Sequence, residues 1–179
     1  MRAVRLAVLL ALALSSAACL VVGLQPVYEP DTIAFDPSFL GNWASDEDGI
    51  TLAIDRGEWH SYHLAFTERD TTTRLSARLT RVGELLLVDV TPLDGTDIDP
   101  LQLPVHGIYR VTLQNDVLSV SGLDYDHCLA TASHGEPGFV IDGRKNVVIT
   151  LQTPELRHWL QEHAEDPGLF STPTLLKRK

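Results

Sequence analysis

The chain has 179 residues, of which 44% are hydrophobic and 21% charged, a composition typical of one globular domain that can bury a core. Its formal net charge is −10, so the surface repels phosphate backbones, which argues against nucleic-acid binding. The same charge argues against electrostatic docking to anionic lipid, so any membrane attachment needs another source.

The first 18 residues have the pattern of an export signal. Arg2 and Arg5 supply positive charge, residues 6–14 are apolar, and the small residues 15–18 lead directly into Cys19. A signal peptidase requires small side chains before the bond it cuts, so the pattern predicts a signal peptide that ends at residue 18. Removal of both arginines would leave 12 basic against 24 acidic side chains, a balance of −12.

A cysteine directly after such a stretch resembles the lipobox of bacterial lipoproteins. In that family the thiol receives a diacylglyceryl group and the new amino terminus is usually acylated. The resemblance therefore implies that Cys19 is lipidated with acyl chains such as palmitate and anchors the chain to a membrane of the cell envelope. In that family an Asp directly after the lipidated cysteine is the usual retention signal. This chain has Leu20 at that position, so the resemblance implies sorting to the outer membrane. The rival interpretation is an uncleaved transmembrane helix over the 19 uncharged residues from Leu6 to Leu24.

Residues 19–38 are predicted to form the lipidated N-terminus and a tether. They contain three prolines, lack a sustained periodicity, and carry the apolar residues Val27, Ile33 and Phe35, which can lie along the domain surface. A single helical turn at 36–40 is predicted, because an aspartate at its start can cap it and a proline follows at the first helical position.

From residue 39 to 179 the chain is predicted to form one β domain, because short alternating segments are separated by turn signals. The predicted strands cover residues 50–54, 59–66, 72–82, 85–90, 104–113, 117–123, 139–141 and 147–151. The apolar run at 85–90 is suited to a strand that is covered on both sides. The side chains expected to point inward include Tyr62, Leu64, Phe66, Leu75 and Leu79.

One helix is predicted near the C-terminus, over residues 154–165. Thr153 is its expected N-cap, and a proline occupies the first helical position. The apolar stripe of the helix consists of Leu156, Trp159 and Leu160. An amphipathic helix of this kind usually packs on the outside of a sheet. The basic residues 177–179 are interpreted as a solvated end.

About eight strands in a chain of this size must close into a barrel or stack as a sandwich, and a meander favours an antiparallel up-and-down barrel. The start of the domain, Phe39-Leu40-Gly41-Asn42-Trp43, resembles the opening of lipocalin-type (calycin) barrels, in which a helical turn precedes Gly-x-Trp. That resemblance implies structural roles for Gly41 and Trp43, with the Trp sealing the closed end. The chain as a whole also resembles a group of bacterial lipoproteins with no known activity.

Metal binding is only weakly indicated. The stretch Asp124–His134 contains zinc-ligand types, but their spacing matches no familiar zinc module, and we prefer a loop in which Cys128 is a small buried residue. Asp94, Asp97 and Asp99 offer oxygen ligands for calcium without the EF-hand spacing, and a solvated acidic loop is the preferred interpretation. We therefore predict no metal and no cofactor.

No sequence motif for nucleophilic catalysis, metalloprotease chemistry or phosphate binding is present, so no enzymatic activity is predicted. His106, a lone histidine among apolar neighbours, is interpreted as a hydrogen-bonded structural residue. A barrel of about eight strands can be filled by side chains or can hold one small ligand. The predicted function is binding of a small apolar ligand, such as a fatty acid or lipid, by the inward residues named above. The alternative is a structural or interaction module of the envelope, with a filled barrel and a protein partner.

Overall fold

The computed structural model describes residues 20–93 and 105–179. The predicted signal peptide and Cys19 precede the first described residue, and the candidate calcium ligands Asp94, Asp97 and Asp99 also lie outside the described residues. Within the two described ranges, no helix is both long enough and apolar enough to span a membrane.

The described residues form short strands and two α-helices. The strands are β1 (Val21–Gly23), β2 (Ile33–Ala34), β3 (Gly41–Ser45), β4 (Ile50–Arg56), β5 (Ser61–Glu68), β6 (Thr71–Val82), β7 (Leu85–Pro92), β8 (Gly107–Gln114), β9 (Val117–Gly122), β10 (Phe139–Ile141), β11 (Val147–Ile149) and β12 (Thr174–Arg178). The helices are α1 (Tyr125–Ser133) and α2 (Thr153–Glu162), and 3-10 turns cover Pro30–Thr32 and Pro37–Phe39.

Eight of these strands form a closed antiparallel barrel. Strands β3 to β9 pair in order as a meander, and β12 pairs with both β9 and β3 to complete the ring. Strand β2 is an extra strand that pairs with β6 outside the ring. Helix α2 contacts the barrel from outside at β6. The predicted fold class, a mainly β chain closing into an antiparallel barrel with a helix outside it, is confirmed.

The membership of the barrel differs from the predicted set of strands in three places. Strand β3 belongs to the ring but was not among the predicted strands. Strands β10 and β11 form the expected hairpin around Asp142, but they belong to a separate three-stranded sheet in which β1 pairs parallel with β11. The last barrel strand is β12, whose basic end we expected to be solvated. The side chains of residues 177–179 are exposed as expected, but the backbone of β12 is not a free end, because it pairs with the edges that the meander leaves at β3 and β9.

Arg178 explains how a basic residue can end a barrel strand. Its guanidinium lies 4.1 Å from the centroid of the Trp43 ring and donates to the carbonyl oxygens of Leu40 at 2.8 Å and Ser38 at 2.7 Å. Its Nε also donates to the Asp116 carboxylate at 2.8 Å. The cation therefore joins three segments of the chain at one end of the barrel.

The barrel wall separates two cores. The lumen core consists of inward-facing side chains and includes Phe39, Trp43, Leu52, Ile54, Tyr62, Ala77, Leu79, Val90, Val111, Leu118 and Leu176. The outer core is shared between the barrel wall, the helices and the three-stranded sheet, and includes Leu85, Leu87, Ile108, Cys128, Val147, Ile149, Leu156, Trp159 and Leu160. Residues of β7 contribute to both cores, so the run at 85–90 is buried from both sides, as predicted.

Helix α2 begins one residue earlier than predicted. Its N-cap is Gln152, whose backbone N–H donates to the Glu155 carboxylate at 3.0 Å in a capping box. The predicted N-cap, Thr153, is wrong, because its hydroxyl donates to the Pro26 carbonyl at 2.8 Å instead. The predicted apolar stripe is confirmed: Leu156, Trp159 and Leu160 are buried.

Residues 20–38 lie along the domain over much of their length. Val27 is completely buried, and its N–H donates to the carboxylate of Asp89 at 2.8 Å. His106 Nδ1 lies 2.7 Å from the other oxygen of Asp89, so a buried carboxylate on the outer face of β7 is hydrogen-bonded from two sides. His106 is thus a hydrogen-bonded structural residue, as its apolar neighbours predicted.

We predict that Arg178→Met lowers the free energy of unfolding by about 2 kcal/mol, because it removes charge-assisted hydrogen bonds and the contact with Trp43. Lys177→Met is the matched control, since Lys177 lies on the same strand and is exposed; it should change stability by less than about 0.5 kcal/mol. Urea unfolding followed by circular dichroism measures both. Equal effects of the two substitutions would contradict the role given to Arg178.

Candidate functional site

The barrel lumen contains a cavity of about 470 Å³. Its lining comes from inward-facing residues of β4 to β9 and β12, and from Phe39 in the second 3-10 turn. This volume lies within the range of about 300 to 1,000 Å³ that small-ligand sites occupy. The lumen core therefore does not fill the barrel.

The five residues predicted to face a ligand all line this cavity. They are Tyr62, Leu64, Phe66, Leu75 and Leu79. Their common position follows from strand alternation, because Tyr62, Leu64 and Phe66 are two residues apart on β5, and their partners on β6 are in register. Ligand binding by these residues stays a prediction.

The Tyr62 hydroxyl is already occupied by protein partners. It accepts from the Asp36 N–H at 2.7 Å and donates to the Asp36 carbonyl at 3.1 Å, while its ring stacks on Phe35 at 5.0 Å. Burial raises the pKa of Tyr62, so the hydroxyl remains protonated. Tyr62 therefore offers its ring to the cavity and uses its hydroxyl to hold the chain segment that precedes the barrel.

Gly41 and Trp43 lie at one end of the barrel, together with Arg178. Trp43 is 1% exposed, and its indole N–H donates to the Phe39 carbonyl at 2.9 Å. Gly41 has φ +128°, and a Cβ there would lie 2.9 Å from Nη1 of Arg178. The positive φ is the main reason that glycine is favoured here, because the end of the Arg178 side chain could shift away from a Cβ. We call this end of the barrel, formed by Phe39, Gly41, Trp43 and Arg178, the closed end.

The other end of the cavity is lined by residues from outside the barrel strands. Leu20, Val21, Ser171 and Thr172 form what we call the cavity mouth. Leu20 is 54% exposed and Thr172 is also exposed, so the cavity reaches the surface here. The backbone N–H of Ser171 donates to the Gly122 carbonyl at 2.9 Å, which holds one side of the mouth on the end of β9.

Tyr109 lies near the mouth with its ring against two glycines. A Cβ at Gly107 would come within 2.9 Å of the ring, and one at Gly122 within 3.4 Å, so the glycines make room for the aromatic side chain. Burial raises the pKa of Tyr109, so its hydroxyl stays protonated and can donate a hydrogen bond. That hydroxyl has no hydrogen-bond partner within the described part of the chain.

Sequence reasoning missed Tyr109 and the mouth. For Tyr109 a signal existed, because it alternates with the inward residue Val111 on β8. In the predicted strand 104–113 only His106 was singled out, and it contacts Asp89 outside the lumen. Ser171 and Thr172 belong to no periodic pattern, so no local signal places them at the cavity.

The stretch Asp124–His134 forms α1 instead of a loop with converging ligands. The carboxylate of Asp124 accepts from the His127 N–H at 2.9 Å and so caps the helix. Cys128 is completely buried in the outer core, as preferred above. Across residues 20–93 and 105–179, no three His, Cys, Asp or Glu side chains form a group that could hold a metal ion.

An eight-stranded antiparallel barrel with a closed end, an apolar lumen and a helix packed outside is compatible with a lipocalin-like fold. Comparison with protein-family models, with curated protein sequences and with solved structures finds no match to this chain. The structural class is therefore assigned from the architecture, and the site from its geometry.

We predict that Cys128 resists alkylation in the folded protein. Burial, together with the nearby Asp124 carboxylate, raises the pKa of the Cys128 thiol from 9.0 to about 12. At pH 8 this lowers the reactive thiolate fraction by about a thousandfold, and burial also blocks access. Mass spectrometry after treatment with N-ethylmaleimide should detect no adduct at Cys128 in buffer and a complete adduct in urea. Rapid labelling of the folded protein at this residue would contradict its placement.

Proposed function

We propose that this protein is a lipid-anchored barrel of the bacterial cell envelope that binds a small apolar ligand in its lumen. The observation that carries the proposal is the cavity of about 470 Å³ in the lumen, whose described lining includes the exposed residues Leu20 and Thr172. A barrel acting as a filled structural module has no need of such a space. The cavity therefore favours ligand binding over a purely structural or protein-interaction role.

The lining of the cavity defines the chemistry of the ligand. Among the described residues, its side chains are aliphatic, aromatic or hydroxyl-bearing, and none is ionisable at neutral pH. A buried charge without a partner is costly, so a charged group of the ligand stays at the mouth. There the hydroxyls of Tyr109, Ser171, Thr172 and Thr174 offer hydrogen bonds.

A single acyl chain fits this description. At about 30 Å³ per molecule of liquid water, the cavity has room for roughly fifteen waters, and a methylene group fills nearly the same space. A fatty acid or another single-chain lipid can place its apolar tail among Leu64, Phe66 and Leu79 and its polar group beside Tyr109. We propose binding, not catalysis, because the described residues of the cavity lining offer neither an imidazole nor a carboxylate to move a proton at neutral pH.

The anchor is proposed from the N-terminal sequence. The apolar stretch at 6–14, the small residues 15–18 and Cys19 together support export, cleavage and lipidation at Cys19. Several acyl chains hold a domain durably at a membrane, since each buried methylene contributes about 0.8 kcal/mol. Leu20 after the cysteine supports sorting to the outer membrane.

We predict that Leu64→Trp weakens fatty-acid binding at least about tenfold, equivalent to about 1.4 kcal/mol, because the indole occupies space that the ligand needs. His63→Trp is the matched control, since His63 is the preceding residue on β5 and points outward into solvent. Native mass spectrometry of the delipidated protein, titrated with palmitate, measures the affinity.

The comparison between the two variants distinguishes a lumenal site from surface adsorption. A lumenal site predicts weaker binding by Leu64→Trp, unchanged binding by His63→Trp, and no loss of folding stability in either. Equal binding by both variants, or no binding by the unsubstituted protein, would contradict the proposed ligand site.

We predict that Cys19→Ala abolishes incorporation of labelled palmitate and releases the protein from the membrane fraction of cells. Cys128→Ala is the control and should retain both properties, because Cys128 is buried in the outer core. If the unsubstituted protein takes up no label and Cys19→Ala remains in the membrane, residues 6–24 act as a transmembrane anchor instead.

A further inference from the structure

The N-terminal strand β1 attaches the chain to the folded domain immediately after Cys19. The Leu20 N–H donates to the Asn146 side chain at 3.1 Å, the Leu20 carbonyl accepts from the Val147 N–H at 2.8 Å, and β1 starts at the next residue. One residue spans at most about 3.6 Å of chain. A lipid on Cys19 would therefore be fixed close to the surface of the domain, without a tether between them.

The three-stranded sheet that contains β1 has an apolar face on its outer side. Val22, Val148 and Val140 are aligned across the three strands; Val140 is 49% exposed, and Val22 and Val148 are half-buried. The opposite face is covered, since Val147 and Ile149 are completely buried in the outer core. A sheet face turned to water usually carries polar side chains, so three aligned and partly exposed valines favour contact with an apolar environment or a partner.

Leu20 connects this face to the cavity. By alternation along β1 it lies on the same side as Val22, it is 54% exposed, and it also lines the cavity mouth. The apolar face, the mouth and the attachment point of the predicted anchor therefore meet at one residue. The fold of this chain alone brings the apolar face, the mouth and the attachment point together.

The charges next to this face differ in sign from those of the protein as a whole. The turn between β10 and β11 carries Arg144 and Lys145, both exposed, in a chain whose formal net charge is −10. Asp142 in the same turn accepts hydrogen bonds from the backbone of Arg144 and Asn146, so it serves mainly to hold the turn. Apolar side chains bordered by cations match a bilayer surface that contains anionic lipid.

We propose that Leu20, Val22, Val140 and Val148, together with Arg144 and Lys145, form a membrane-contacting face that turns the cavity mouth toward the bilayer. This rests on the proposed lipid anchor and deepens the proposed ligand function: the ligand is an acyl chain that enters from the membrane. The acyl chain in the cavity can come from two sources: a free lipid of the bilayer, or one of the acyl chains on Cys19 itself.

The orientation can be measured on the full, lipidated chain in vesicles of phosphatidylcholine with a minority of phosphatidylglycerol. Val140→Cys and Asp55→Cys each receive a nitrobenzoxadiazole label. Asp55 is the control because it is exposed on β4, diametrically across the barrel from β8, where β1 packs. We expect brominated acyl chains to quench the label at position 140 severalfold more strongly than the label at 55. Equal quenching at both positions would overturn the proposed face.

A second variant separates this inference from the proposed function. A flexible Gly/Ser linker inserted between Cys19 and Leu20 leaves the described domain intact and lets it turn freely. We expect lower quenching at position 140 and slower transfer of a fluorescent fatty acid from vesicles. Unchanged quenching and transfer would overturn the inference while leaving the ligand site in place. Loss of fatty-acid binding in the unsubstituted protein would instead remove the proposed function.

The same linker variant identifies the source of the acyl chain. If the cavity takes a lipid from the bilayer, native mass spectrometry of the unsubstituted protein detects a noncovalent acyl lipid in addition to the covalent ones. If the cavity is filled by a chain on Cys19, no additional lipid is detected, and the linker increases the binding of added palmitate by moving that chain away. Both results support entry of the acyl chain through the cavity mouth beside Leu20. An unsubstituted protein with an empty cavity, which binds palmitate as well as the linker variant does, counts against it.

Discussion

Closure of the barrel depends on one short strand that pairs along both of its sides. Strand β12 is in register with β9 at four positions and with β3 at two. Without it, both neighbours would present open edges, and the lumen would lose the part of its wall that Thr174 and Leu176 supply. Arg178 packs against Trp43 at the end of this strand, so the backbone pairing that closes the sheet and the cation–π contact meet at one residue.

Once the sheet is closed, strand alternation divides the apolar side chains between two cores. On β7, Val88 and Val90 face the lumen, whereas Leu87 and Asp89 face outward and are buried there. A hollow lumen forfeits packing contacts that a filled core would have. The outer core, with its helices and the three-stranded sheet, supplies apolar burial that does not depend on filling the barrel. This division lets a small domain keep a cavity and remain folded.

The parts of the fold that repeat locally could be predicted from the sequence, and the parts set by distant pairing could not. Alternation identified Tyr62, Leu64 and Phe66 as inward-facing, because a strand with one buried face repeats every two residues. Strand β12 has five residues, ends in charged ones, and becomes a strand because β3 and β9 leave a gap for it. Strand β1 follows a largely apolar N-terminal stretch of the sequence, so composition alone cannot distinguish it. Barrel size allowed either a filled lumen or a cavity, and the position of the cavity mouth depends on the segments next to these two unpredicted strands.

The hydrogen bonds that hold Leu20 and β1 on the domain bear on how an apolar ligand would reach the lumen. An acyl chain that crosses water loses about 0.8 kcal/mol for every methylene it exposes, so a path through solvent becomes slower as the chain lengthens. A domain on a long tether would require that path, because its cavity could point in any direction. When Leu20 is both the first residue after the proposed anchor and part of the mouth, the anchor also sets the orientation. In the proposed arrangement, the lipid modification therefore attaches the domain and also orients its cavity. The path that the acyl chain travels through water is then no longer than the gap between the bilayer surface and the cavity mouth.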